Sequence, residues 1–272
     1  MEISDITNVG DNNPFEIQSK IADAFDFCLG APSYVWKGGY AENVRFLSKA
    51  FNVIQLLVFE PFDNSYDIIS EIDELLELKK NGLQYLLHLP LDSEFGNKNR
   101  NPVDIHLDVI TKVKRVGISR YILHVEKGDS KYDSGLAYER VNQLLDDGGI
   151  SAEDICVEYL NETFDEIWSG LEGTGVSICM DLGHVLYQGG DPVAVFDKYK
   201  DRIKVAHIHG VNGKDHRSLA GFPADTLKLI FERFENVGFK LPVIIENHSV
   251  PEMLESLRVI EQLFPERVNV KI

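Results

Sequence analysis

A chain of 272 residues with 44% hydrophobic and 26% charged residues fits one or two domains and is too apolar for a disordered or collagenous polymer. Its 44 acidic against 27 basic residues give a net charge of −17, a field that repels polyphosphate and argues against nucleic acid and anionic membrane as partners. The expected partner is a small-molecule substrate, neutral, cationic, or captured by a local positive centre such as a metal ion. Nothing in the composition fixes the oligomeric state.

The N-terminus, MEISDITNVGDNNPFEIQSK, is acidic and polar where a secretory signal is basic and then apolar, and no run of 18 apolar residues follows anywhere. The three cysteines, Cys28, Cys156 and Cys179, each lie in an apolar run without CxxC spacing and read as reduced core thiols. A cytoplasmic protein is expected. Residues 1–24 read as an N-terminal extension with an amphipathic helix over 14–23, and residues 25–272 as one domain.

From residue 25 short β-branched runs alternate with amphipathic stretches, the pattern of βα units in a parallel sheet. Strand-like runs fall at 25–30, 52–60, 83–91, 120–126, 154–160, 176–182, 202–210 and 241–247, with helix-like stretches between them, among them 41–51, 67–80, 102–116 and 225–238. Eight units of roughly 30 residues predict a single (β/α)8 barrel, an α/β fold. No GxGxxG follows the first run, which argues against a dinucleotide-binding sheet. No linker-like segment divides the pattern.

Function in such a barrel collects at the C-terminal ends of the strands. Here Glu60 ends the second run, His88 lies near the end of the third, His124 the fourth, Glu158 the fifth, Asp181 the sixth, His207 and His209 the seventh and Glu246 the eighth. Seven of eight strands thus carry a metal-competent side chain to one rim, whereas His106 falls within a helix. Taken singly, a histidine in LLHLPL reads as a satisfied core residue and a glutamate at a strand end as a solvated one. Taken together, four carboxylates and several imidazoles would cost several kcal/mol per uncompensated charge, and so few basic residues lie near that cations are the compensation expected. Oxygen and imidazole donors suit Zn, Mn, Fe or Co.

The candidate metal ligands are His88, His124, Glu158, Asp181, His184, His209, Asp215, His216 and Glu246. Nine exceed one coordination sphere, so two or three divalent ions are expected, a number that suits a clamp on a phosphoryl group. Asp181 and His184 are spaced i, i+3 in DLGH, so one helical turn after the strand brings both to one ion. His207 and His209 share a face of their strand, with His209 expected as the ligand and His207 one pleat deeper behind it. Glu158 and Glu246 are the expected catalytic carboxylates. In the loop HIHGVNGKDHRSL, Lys214 and Arg217 either contact substrate phosphate or are solvated loop charges.

These residues resemble those of the xylose isomerase-like superfamily, which includes divalent-metal sugar epimerases and the endonuclease IV type of abasic-site nuclease. The resemblance maps the epimerases' four-ligand core onto Glu158, Asp181, His209 and Glu246. It maps the nuclease's further ligands onto His88, His124, His184, Asp215 and His216, although the nuclease has one residue between its Asp and His where Asp215 and His216 are adjacent. APSYVW (31–36), LVFE (57–60), HLPLD (88–92), YILHVE (121–126), ICMDLGHVL (178–186), HIHGVNGKDHRSL (207–219) and IIENHS (244–249) more closely resemble the cobamide remodelling phosphodiesterases, the CbiR family. That resemblance implies hydrolysis of the nucleotide-loop phosphoester of B12-type corrinoids to a cobinamide phosphate. Tyr34, Trp36, Glu60, His207, Lys214 and Arg217 would then surround the substrate, unless PSYVW merely plugs the rim. The alternatives are a sugar isomerase or epimerase with one metal, an abasic-site nuclease, against which the charge speaks, and a non-enzymatic corrinoid or metal-binding barrel.

Overall fold

The computed structural model describes residues 23–58, 68–79, 82–91, 95–99, 101–125, 132–237 and 240–267. Eight strands, β1 (Cys28–Pro32), β2 (Val53–Leu57), β3 (Gln84–His88), β4 (Arg120–Leu123), β5 (Ile155–Glu158), β6 (Ser177–Asp181), β7 (Ile203–Ile208) and β8 (Pro242–Ile245), pair in parallel in chain order. β8 returns to β1 and closes the sheet into a barrel. This is the expected (β/α)8 architecture. The expected helix over 14–23 and nearly all of the expected extension fall outside the described residues, as does Glu60.

Around the barrel lie α1 (Tyr40–Leu47), α2 (Ile72–Lys79), α3 (Val103–Val113), α4 (Ser134–Gly148), α5 (Phe164–Leu171), α6 (Leu182–Tyr187), α7 (Pro192–Tyr199), α8 (Ala224–Glu235) and α9 (Val250–Leu263). Each buries one apolar stripe against the sheet, as Leu227, Ile230, Phe231 and Phe234 do on α8. The first expected strand begins late: Phe25 and Phe27 stack at 4.9 Å and meet Phe231 edge-on, both at 5.2 Å, so this aromatic pair packs against α8 ahead of the ladder.

The barrel interior explains why the chemistry gathers at one end. Val53, Leu86, Ile122, Cys156, Cys179, Val205 and Ile244 form one buried apolar layer inside the sheet. Inward-facing positions on a strand recur every second residue, so the next inward residue on each of those strands is Gln55, His88, His124, Glu158, Asp181, His207 and Glu246. The apolar layer is thus the floor beneath a polar one. Between β6 and β7 the register shifts after Ile178, pairing Cys179 with Val205 and Asp181 with His207. Without that shift Ala206 would stand beside Asp181, so the irregularity in the ladder brings the imidazole to the carboxylate.

Candidate metal centre

Glu158, at the end of β5, is buried among imidazoles. Its Oε2 lies 3.0 Å from His88 Nε2 and 2.8 Å from His124 Nε2, and its Oε1 2.9 Å from His207 Nδ1. Glu246, just past β8, has Oε1 3.3 Å from the same His207 nitrogen and Oε2 3.5 Å from His216 Nε2. Asp181 ends β6 and caps α6, accepting from the backbone N–H of His184 at 2.8 Å, so the turn expected in DLGH forms and carries His184 Nε2 to 3.6 Å from Asp181 Oδ2. His209 Nε2 approaches Asp181 Oδ1 at 3.3 Å.

The donors fall into adjoining groups whose ligating atoms lie within 4.8 Å of one another: His88, His124 and Glu158; Glu158, Asp181, His207 and Glu246; Asp181, His184, His209 and His216; with Cys179 joining Glu158 and His207 from the floor. Glu158 and Asp181 each belong to more than one group. Asp215 stands outside them, with Oδ1 3.3 Å from His216 Nδ1.

Local backbone geometry holds the third group. His216 has a left-handed backbone, φ 53°, which side chains other than glycine rarely adopt. Its N–H lies 2.9 Å from His209 Nδ1, the Asn247 amide donates to the His216 and Arg217 carbonyls, and the rings of His209 and His216 stack at 4.4 Å. A β-carbon on Gly183 would run into the His209 ring. Gly183→Ala is therefore expected to displace His209 and to lower zinc content by about one ion per chain while the barrel still folds, read by elemental analysis beside circular dichroism.

The electrostatics match a cation site. Burial opposes the charge on Glu158 and Glu246, yet His207 with His124 holds the first, and His207 with His216 the second, well below the usual carboxylate range. Burial likewise opposes Asp181, which His184 and His209 bring down to about 2. Burial works against charge on His207 and His216 as well, but Glu246 and Glu158 lift His207 to about 9, and Glu246 with Asp181 lifts His216 to about 10. Asp181 Oδ2 and His209 Nε2 are buried and make no hydrogen bond among the described residues. Unpaired buried polar atoms are costly, and two aimed into one donor group are what a bound divalent ion would satisfy.

The other expected substrate contacts separate. Tyr34 is 44% exposed and stands edge-on to His248 at 6.3 Å, and His248 stacks on His216 at 4.8 Å. Trp36 turns to Phe46 of α1, ring centroids 5.4 Å apart, while its backbone is bonded to Asn43. Lys214 is exposed. Arg217 is committed to Glu252 of α9 at 2.8 Å. His106 is buried in α3, its Nδ1 2.7 Å from the Pro102 carbonyl. Two residues beside the cluster escaped the sequence reading. Gln55 is an amide and not a ligand type, but the inward step of two from Val53 points to it; His248 lies two beyond Glu246 in a motif already singled out.

Among solved structures the chain is similar to a D-tagatose 3-epimerase-like protein, with TM-score 0.70 and 17% identity over 89% of this chain and 98% of that one. It is similar to an AP endonuclease, family 2, from Brucella melitensis, with TM-score 0.63 and 16% identity over 88% and 99%. Likeness at that identity speaks to fold. Among curated proteins it is 31% identical over 105 residues to an inosose dehydratase of Lacticaseibacillus casei, a match covering 32% of this chain and 35% of that protein, so the chain spans about a third of that relative's length. Residues 44–263 match the model of the xylose isomerase-like TIM barrel, and the chain belongs to that family.

Proposed function

We propose that this enzyme is a metal-dependent phosphodiesterase that hydrolyses the nucleotide-loop phosphoester of cobamides, releasing a cobinamide phosphate. The observation that carries the reading is the placement of Glu158, with one oxygen toward His88 and His124 and the other toward His207. A carboxylate so divided could hold cations on both sides, and together with the donors of the third group the set exceeds what a one-metal site would need. Two or three ions, Zn or Mn with Fe or Co as the other choices, are the proposed complement. Such ions supply Lewis-acid stabilisation of phosphoryl oxygens and activation of water at neutral pH.

The chain's own residues supply the rest. Glu158 and Glu246 keep buried negative charge at the centre and fix the spacing of whatever cations they hold. Lys214, exposed on the loop, is the proposed phosphate contact, since Arg217 is tied to Glu252. Tyr34 and His248 form an aromatic edge at the rim for a planar group of the substrate. Stacking of that kind is worth about 0.5–1.5 kcal/mol, so Tyr34→Ala and His248→Ala are each expected to raise KM about 2- to 12-fold with kcat nearly kept, in steady-state assays. The stretches HLPLD, DLGHVL and DHRSL support the cobamide assignment over other phosphoesters.

The decisive experiment incubates metal-replete protein with several adenosylated cobamides and looks by mass spectrometry for a cobinamide phosphate. A second reading, a sugar isomerase or epimerase using Glu158, Asp181, His209 and Glu246 with one ion, draws support from the epimerase-like fold and the dehydratase match. Its two glutamates would move a proton on either side of an enediolate. One metal per chain together with ketose turnover would select it and sink the first.

A further inference from the structure

Gln55 on β2 is fully buried in the polar layer and takes no part in any donor group of the metal centre. Its side chain nevertheless links two members of the central group. Gln55 Nε2 lies 2.8 Å from Glu246 Oε1, and Gln55 Oε1 lies 2.8 Å from His207 Nε2.

Hydrogen-bond polarity decides how this bridge works. A carboxylate oxygen accepts, and the Gln55 NH₂ that lies 2.8 Å from Glu246 Oε1 can only donate, so the amide turns its N–H toward Glu246. The amide oxygen then necessarily faces His207, and an oxygen can only accept, so His207 Nε2 carries a proton. In the metal-free protein Nδ1 also carries a proton, donated to Glu158 Oε1 at 2.9 Å; a cation displaces that proton, and the imidazole then keeps its single N–H on Nε2 and its lone pair on Nδ1. That nitrogen lies 2.9 Å from Glu158 Oε1, 3.3 Å from Glu246 Oε1 and 4.0 Å from Asp181 Oδ2, where the three carboxylates converge.

We infer that Gln55 is a positioning residue that fixes the tautomer of His207 and braces Glu246, so that His207 Nδ1 and the three carboxylates face one cation. The inference rests on the metal-dependent reading of the site. It gives His207 the ligand's place expected for His209 in the central group and leaves His209 to the group it forms with Asp181, His184 and His216. A Gln55 without its amide would leave His207 free to put the proton on Nδ1, where it blocks coordination.

The test uses zinc-loaded protein labelled with nitrogen-15 and long-range proton–nitrogen correlation of the histidine rings. In the wild type His207 is expected to carry its proton on Nε2, with Nδ1 at a metal-bound shift; a proton on Nδ1 would overturn the inference, and this reading depends on no variant folding. Gln55→Met, of similar size without the amide, is expected to weaken zinc binding about 10- to 100-fold in a chelator competition, with the far-ultraviolet circular dichroism unchanged. Gln55→Glu keeps an acceptor for the Nε2 proton and is expected to keep the wild-type tautomer. Equal zinc affinity in wild type and Gln55→Met would overturn the inference alone, whereas a wild type that binds no divalent ion would overturn the metal reading and this inference with it.

Discussion

Glu158→Gln and Glu246→Gln are each expected to lower phosphodiesterase turnover by about 10³-fold or more, equivalent to ~4 kcal/mol of transition-state stabilisation, and to lower metal content with it. Glutamine keeps the size of the side chain and removes the charge on which the buried imidazoles depend. For Glu158 the loss is double: an amide N–H₂ replaces one oxygen, so either the His88–His124 side or the His207 side meets a donor where it had an acceptor. Removing one partner of a buried charged set costs about 3–5 kcal/mol of stability, so the variants should also unfold at lower denaturant concentration. His106→Gln separates site from scaffold. Burial holds the His106 imidazole down to about 4, hence neutral, and the ring packs on Phe95 at 5.5 Å, so its replacement should cost stability while metal content and kcat stay near wild type. Steady-state kinetics and elemental analysis of the three proteins check the order. Near-normal turnover in both glutamate variants, with His106→Gln inactive, would move the active site away from the rim.

Why so much of the centre was legible follows from strand geometry. A parallel barrel strand is buried on both faces, so its sequence reads as an apolar run, and any ionisable residue inside that run stands out. His88, His124, Glu158, Asp181, His207 and Glu246 stand out in this way. What an apolar run does not reveal is depth. His207 and His209 both read as inward, and only the shifted register after Ile178 sets His207 beside Asp181. Gln55 does not stand out, because an amide is neither a typical ligand nor an acid, although its inward step from Val53 is the same as that from Cys156 to Glu158. Trp36 and Arg217 show the opposite limit: the sequence leaves open whether they meet substrate or serve the rim and loop, and the fold gives their side chains to Phe46 of α1 and Glu252 of α9. Helix ends are less legible than strands, since the apolar stripe over 102–116 runs on through the tighter turn at Lys114–Val116 after α3 ends.

Metal uptake is expected to become more favourable by about a hundredfold or more per pH unit between pH 7 and about 9, expressed as the product of the stepwise binding constants. In the metal-free protein His207, with its imidazole lifted to about 9, and His216, lifted to about 10, are cations at neutral pH, while Asp181, brought down to about 2, and the depressed Glu158 and Glu246 have no protons to lose. Coordination needs neutral imidazoles, so binding releases the protons of His207 and His216 and adds to them from His209, which Asp181 raises against its burial, and each released proton contributes a factor of ten per pH unit. The same pairs set the stability of the metal-free fold. Raised imidazoles contribute stability that is fully present below the ordinary histidine value of about 6.5 and is lost as pH climbs through 9 and 10. Depressed carboxylates contribute stability present above about 4 that is lost in acid, for Asp181 as pH falls through about 2. Metal-free protein should therefore lose thermal stability on the alkaline side, where loaded protein, its imidazoles already neutral and coordinated, should not. The Tm difference between loaded and chelator-treated protein should widen steadily from pH 6 to 9 in differential scanning fluorimetry, and calorimetric titrations in buffers of different ionisation enthalpy should report about two protons or more released at pH 7. Metal binding with no proton release at pH 7, or a Tm difference that narrows as pH rises, would mean that His207 and His216 are not held as cations against these carboxylates.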